Sequence, residues 1–247
     1  MLLADGSLPL IVVDSAKFDG SSAFLSRGSA FTGEADSKQG IFSCWTRLDG
    51  GNGVELEIVE TTDGANEGVV FYRSSANKFT ILAYNSSGTV VLLTQTSSTY
   101  TSGSTWRHFL SSWDLAAGVS NLYINDVSDQ SVTTRTDDTI DYTKTICGIG
   151  ALPGGGSKFN GCMAELYFAP GQYLDFSVAI NRRKFISSSG KPVALGTTGA
   201  SPTGTVPLIY LHLDDGETAS HFATNRTGNG DLGATGSLTT GTSSPSD

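Results

Sequence analysis

Glu55-Leu56-Glu57-Ile58-Val59-Glu60 sets three carboxylates into a segment that otherwise reads as an apolar strand. Carboxylates grouped so closely can serve as acid, base or nucleophile if their surroundings push their proton affinities apart. In a regular strand, side chains alternate, so Glu55 and Glu57 share a face and Glu60 lies opposite. Acting together would require a bulge near Ile58-Val59. The expectation is therefore an exposed acidic strand.

The other reactive side chains are scattered. His108, His212 and His221 lack a metal-type partner at short spacing. His108, between Trp106 and Leu110, is expected to be packed and hydrogen-bonded. Asp126, Asp129, Asp137 and Asp138 could offer oxygens to Ca²⁺. A solvated charged loop is the expectation there, with no bound metal and no cofactor. Cys44, Cys147 and Cys162 each sit in an apolar context and read as buried thiols, with one disulfide or metal ligation as alternatives. No Ser-His-Asp order, phosphate-cradling glycine loop or Walker-type motif occurs, and Asp214-Asp215-Gly216 reads as a turn.

The elements that must position these residues are short strands. In the stretch 104–125, Trp106, His108 and Leu110 fall on one face, and Arg107, Phe109, Ser111 and Trp113 on the other. Asp114 to Gly118 supplies a turn, after which Leu122 and Ile124 point one way and Asn121, Tyr123 and Asn125 the other. Ile41 to Leu48 is apolar on both faces, which predicts a central, doubly covered strand. Strands are also predicted at Leu10–Val13, Val54–Glu60, Gly68–Arg73, Phe79–Tyr84, Val90–Leu93 and Tyr142–Ile149. Asp49–Gly53 and Asp63-Gly64 mark hairpin turns. Val127–Asp138 reads as a long connection. Phe159 to Phe168 alternates, with Cys162, Ala164, Leu166 and Phe168 on one face and Met163, Glu165 and Tyr167 on the other. One helix is expected over 177–186, capped by Ser177, with Arg182-Arg183-Lys184 as a solvated, dipole-complementing end. A final strand follows at 208–213. Residues 226–247 are a low-complexity tail that cannot form a core alone; if ordered, another surface must hold it.

The chain has 247 residues, enough for one large β-sandwich, with 30 glycines and only 16% charged residues. A net charge of −9 and a pI near 4.7 make nucleic acid a poor partner. No apolar run is long enough to insert in a membrane. Met-Leu-Leu-Ala-Asp-Gly has no basic region or long apolar core, so no signal peptide is expected, and the sequons at Asn85 and Asn225 read as chance. The fold class is all-β: an antiparallel jelly-roll sandwich with one short helix and a loop-rich C-terminal extension. The expected organisation is a sandwich over 1–176, an extension over 177–225 packed on it, and the tail over 226–247.

Trp106-x-His108, Leu122-Tyr-Ile124-Asn125-Asp126 and Phe159-x-Gly161-x-x-Ala-Glu165-Leu-Tyr-Phe168 resemble the signature strands of laminin-G-like, concanavalin A-type jelly rolls. Asn125-Asp126 stands where that family has Asp-Gly, and Cys162-Met163 where it has an aliphatic. A narrower resemblance, over 15–215, is to laminin-G-like proteins encoded by tailed bacteriophages and prophages. It rests on Phe42-x-x-Trp45-x-Arg47-Leu-Asp-Gly50, Ser111-Ser-Trp113-Asp114, Tyr173-Leu-Asp-Phe176, Asn181-Arg-Arg-Lys-Phe-Ile186 and Gly190-Lys-Pro192. It implies a non-enzymatic virion component: a tail, tail-tip, fibre or head decoration protein, assembled in the host cytoplasm and released by lysis. Its implied partners are other virion proteins, copies of itself in a homo-oligomer, and host surface glycan. A carbohydrate-binding module is one alternative, for which Tyr72, Tyr84, Tyr100, Tyr123, Tyr142 and Tyr167 are the available aromatics. The other follows from the resemblance of Glu55–Glu60 to the catalytic strand of laminarinase-type β-glucanases. That resemblance implies Glu55 as nucleophile, Glu57 as assisting acid and Glu60 as general acid, with Glu57 standing where that family has Asp.

Overall fold

Short β-branched and aromatic runs, separated by Gly, Asn and Asp turns, form strands throughout. The structure is a computed structural model and describes residues 3–247. Met1 and Leu2, which open the stretch read for a leader, lie outside the described residues. The order is β1 (Ala16–Asp19), β2 (Phe24–Arg27), β3 (Gln39–Leu48), β4 (Leu56–Thr62), β5 (Glu67–Arg73), β6 (Phe79–Tyr84), β7 (Val90–Gln95), β8 (Arg107–Asp114) and β9 (Val119–Ile124). Then follow β10 (Val127–Ser128), β11 (Ser131–Arg135), β12 (Ile146–Ile149), β13 (Asn160–Pro170), α1 (Ala179–Arg182), β14 (Ile209–Leu211), β15 (Gly233–Thr235) and β16 (Thr239–Thr240). One sheet runs β10-β9-β8-β3-β13-β1-β16, with β14 also on β13; the other runs β11-β7-β6-β5-β4-β12-β2-β15. All pairings are antiparallel.

The inner faces meet in an aromatic core. Phe42 from the first sheet stacks on Phe71 from the second at 3.9 Å, and Phe109 and Phe168 pack edge-on around them. Trp113 is fully buried and donates its indole N–H to the Tyr142 hydroxyl at 2.9 Å, which donates to the Gln39 carbonyl at 3.0 Å. The first sheet is also covered outside: Ile41, Leu110, Tyr167 and Ala169 carry Phe176, Phe185, Val193 and Leu195. This explains why β3 is apolar on both faces. Among the described residues no comparable layer covers the outside of the second sheet, where Tyr72, Leu82, Tyr84 and Leu93 stay partly exposed.

Several segments differ from their sequence expectation. Val127–Asp138 contains β10 and β11; β11 is an edge strand on β7, so its side chains face water and read as polar. The hairpin of β9 with β10 turns on Asn125 and Asp126, both at positive φ (51° and 66°), the conformation that Asp-Gly supplies elsewhere. Leu10–Val13 makes only isolated bridges, to Val193 and Asp214. The expected helix shrinks to one turn: Ser177 is held by the Asp175 carboxylate instead of capping, while Phe185 and Ile186 sink into the outer layers.

The basic residues closing α1 are not a solvated end. Arg182 Nε and an Arg183 guanidinium N–H donate to the two oxygens of Asp126 at 2.5 and 2.6 Å, and the Arg182 guanidinium lies 4.5 Å from the Tyr123 ring centroid. Burial would raise the Asp126 carboxyl, but the two guanidiniums hold it below its ordinary value. Asp126→Asn keeps a residue tolerant of positive φ and removes the charge. It is expected to cost roughly 1 kcal/mol in urea titrations, the scale of partly exposed ion pairs.

The tail is ordered against both sheets. β15 extends the second sheet along β2, and β16 extends the first along β1. The Ser243 hydroxyl accepts from the Trp106 indole at 3.1 Å, and the Ser246 hydroxyl accepts the Val13 N–H at 3.0 Å.

Candidate functional site

The uncovered face of the second sheet carries the acidic strand. Glu57 pairs with Tyr72 of β5, but it is Val59, not Ile58, that pairs with Phe71. Ile58 is therefore the extra residue of a bulge. Both Ile58 and Val59 turn into the core, so Glu57 and Glu60 emerge together on the outer face. Val70 sits opposite Glu60, Thr80 lies across from Tyr72, and Leu82 across from Val70, with Tyr84 two residues on. On the other side, Gly148 of β12 pairs with Glu60. A Cβ at Gly148 would lie 2.5 Å from the Ala151 carbonyl and 2.8 Å from the Pro153 nitrogen, so only glycine lets the 151–156 loop fold over and wall the site. The result is an open groove of about 840 Å³, lined by Glu60, Thr62, Asn66, Glu67, Tyr84 and the loop from Leu152 to Gly156.

The expectation of an exposed acidic strand fails here. Glu57 is 1% exposed and neither carboxylate oxygen has a partner; Glu60 is 6% exposed and one of its oxygens is likewise buried and unpartnered. Burial first, then the charges of Glu60, Glu55 and Glu67, pushes the Glu57 carboxyl up to about 9. Burial, then Glu67 and Glu55, pushes Glu60 to about 7. Near neutral pH, Glu57 is thus a neutral acid and hydrogen-bond donor, and Glu60 is poised between its two forms. Burial and the adjacent Glu67 carboxylate keep the Tyr84 phenol protonated. Glu55 stays exposed just before β4, accepting from the Ser157 hydroxyl at 3.0 Å.

The bulge thus brings together Glu55, Glu57 and Glu60. Glu67 joins them because the Asp63-Gly64 turn pairs Glu67 with Thr62, a register that hairpin counting could have supplied. The wall from Leu152 to Gly156 had no sequence signal beyond its glycines. Among the tyrosines, Tyr72 and Tyr84 reach this face. Tyr142 and Tyr167 are fully buried, Tyr123 lies under Arg182, and Tyr100 packs on Phe79 while donating to Asp129 at 2.5 Å.

The four Ca²⁺ candidates are not brought together. Asp126 serves the arginines, Asp129 also takes the Ser97 and Ser98 N–H groups, Asp137 pairs with Lys38, and Asp138 accepts from the Asn85 amide. Among the described residues no group of three or more His, Cys, Asp or Glu is placed to hold a metal. The cysteines are free, buried thiols. His108 is buried against Trp45, with Nε2 2.8 Å from the Ser43 hydroxyl, and burial drives its imidazole down to about 3, so it is neutral. His221 is exposed beside Glu217 at 3.3 Å.

A second charged cluster lies on the first sheet. The alternation expected across Phe159–Phe168 breaks between Ala164 and Tyr167, where Glu165 takes φ 50°. Met163, Leu166 and Phe168 consequently face the core, while Ala164 and Tyr167 face outward. The buried Glu165 carboxylate accepts from the Tyr210 hydroxyl at 2.9 Å and pairs with His212 Nδ1; His212 Nε2 lies 2.9 Å from Asp214. Burial alone would lower the His212 imidazole, but Glu165 and Asp214 outweigh it and raise it to about 9. This cluster fastens β14 and the chain after it to the bulge of β13.

Comparison with known proteins agrees with this architecture. The family model described as the concanavalin A-like lectin/glucanases superfamily matches residues 28–171. A search of curated proteins gave no match. One similar solved structure, from Bacteroides ovatus ATCC 8483, is described as a "putative carbohydrate binding protein": TM-score 0.62, 15% identity, covering 94% of this chain and 60% of that one. The present chain thus spans about three fifths of that protein's length. The heptameric SAP-like pentraxin of Limulus polyphemus superposes with TM-score 0.57 at 12% identity, covering 93% of this chain and 94% of its own. At these identities the likeness concerns the fold.

Proposed function

The chain belongs to the concanavalin A-like lectin/glucanases superfamily, and from that premise we propose that it is a non-catalytic glycan-binding domain whose ligand lies in the groove over β4, β5 and β6. One observation carries this reading: the sheet face without a covering layer holds a groove of about 840 Å³ lined by the Tyr84 phenol, the buried Glu60 carboxyl and the half-buried Glu67. Sugars ask for that combination, a ring face to lie on and fixed polar groups for their hydroxyls. The carbohydrate-binding description of the Bacteroides ovatus protein adds support. Glycan-array binding by the intact chain is the test. Tyr84→Ala is expected to weaken any hit at least tenfold; a hit indifferent to both Tyr84→Ala and Tyr72→Ala would place the ligand elsewhere.

The particle setting belongs to the same proposal. The phage-type motifs support a homo-oligomeric virion component, with the groove turned toward host glycan. Gold-antibody labelling of purified particles, backed by mass spectrometry, tests this: label at the tail fits host contact, label over the head fits decoration, and absence from particles removes the virion role.

The bulge favours a second reading. By placing Glu57 and Glu60 on one face, with Glu60 raised to about 7, it meets one condition for β-glucan hydrolysis with Glu60 as general acid and Glu55 as nucleophile. Retaining hydrolysis needs the two carboxyls about 5–5.5 Å apart. Release of reducing ends from β-glucan oligomers, lost in both Glu55→Gln and Glu60→Gln, would establish it; no release by the unmodified chain would remove it.

A further inference from the structure

We infer that the groove prefers glycans carrying free, protonated amines, that is, amino sugars without their N-acetyl groups. This deepens the glycan-binding proposal and rests on it. The groove lining contains Glu60 and Glu67 but no Lys or Arg. Glu57 and Glu60 are perturbed, beyond burial, only by other carboxylates: Glu60, Glu55 and Glu67 for the first, Glu67 and Glu55 for the second. Two carboxyl groups, Glu60 and Glu67, thus share the groove wall with no opposite charge among its lining residues. Glu60 is the decisive residue. It is 6% exposed, lines the groove, and has a buried oxygen with no partner. A buried unpaired acceptor costs free energy that a ligand donor recovers, most of all a charged donor.

A metal ion is the obvious rival, but Ca²⁺ takes 6–8 oxygens in one shell. No group of three acidic, His or Cys side chains among the described residues converges closely enough to begin one. An ammonium asks for less. Its three N–H donors can be shared among Glu60, Glu67 and a phenol such as Tyr84, and its charge offsets the mutual repulsion. A neutral sugar hydroxyl supplies the hydrogen bond without the charge. An N-acetyl group removes the charge and adds bulk.

The experiment is calorimetric titration of the full chain at pH 7, where Glu60 is about half ionised, with three probes of equal length: glucosamine oligomers, N-acetylglucosamine oligomers and neutral β-glucan oligomers. The expected result is at least tenfold tighter binding of the glucosamine series, a preference that shrinks with added salt. Glu60→Gln, nearly isosteric, is expected to reduce the preference to within about twofold, and Glu67→Gln to lower it partway. Equal or reversed affinities, or a preference that survives Glu60→Gln, would overturn the inference while leaving glycan binding intact. No binding of any probe, with no hit on the wider array, would overturn both.

Discussion

Replacing Glu57 by Gln is expected to stabilise the folded chain by about 2–4 kcal/mol at pH 8 and to change nothing near pH 4. The sign follows from proton linkage. The folded carboxyl titrates at about 9 and the unfolded one at its ordinary value of 4.5, so between those limits the folded state keeps a proton that the unfolded state has released. Stability therefore falls as pH rises through that window, by up to about 1.4 kcal/mol per pH unit, which water penetration and relaxation reduce. Gln has the same shape and no charge to bury. Below pH 4.5 the comparison is between two neutral side chains. Glu60, with its folded carboxyl at about 7, acts in the same direction over a shorter range. Urea titrations of both proteins at pH 4 and pH 8 provide the measurement; an equal difference at the two pH values would contradict the buried, unpaired acid. Such an acid in a face otherwise able to pack is the pattern of a site whose demands oppose stability.

Glu165→Ala is expected to have the largest destabilising effect, about 3 kcal/mol, because it leaves the buried Tyr210 phenol without its acceptor and the largely buried His212 cation with Asp214 alone. Alanine gains nothing from the positive φ at this position, so strain relief does not offset the loss. The effect depends on pH in a defined way. The His212 imidazole is raised from 6.5 to about 9 in the folded state, so its contribution is complete below pH 6.5 and lost as pH rises through 9. The cost of Glu165→Ala is therefore greatest near pH 6 and distinctly smaller near pH 10. Parallel denaturation curves at those two pH values check this, and an unchanged cost would show that the Glu165–His212 pair is not ionic.

What was legible in the sequence was whatever depends on local period and turn chemistry. Ile41–Leu48 announced a strand covered on both sides, and Asp114–Gly118 announced the turn that joins β8 to β9, closed by Gly118 at φ 66°. What misled was position within the sheet. The polar side chains of β11 meet water because it is an edge, and an edge strand reads like a loop. The bulges were invisible for a related reason: an extra residue is defined only against its partner strand. Glu55–Glu60 could state the condition under which its carboxylates would meet, but not that β5 would pair Val59 with Phe71 and meet it. At β13 the same blindness hid Glu165, which an unbroken alternation keeps from His212 and Tyr210. The groove itself required a wall from residues 151–156, resting on the bare Cα of Gly148, a contact that no local pattern encodes.

Glycan binding at the uncovered face of the second sheet is open to direct mapping. Amide chemical-shift mapping during titration with the glycans retained on the array tests it most directly. Saturable shifts concentrated in Glu57–Thr62, Glu67–Tyr72, Phe79–Tyr84 and Leu152–Gly156 are expected. Saturable shifts confined elsewhere, such as around Tyr210 and His212, would contradict it.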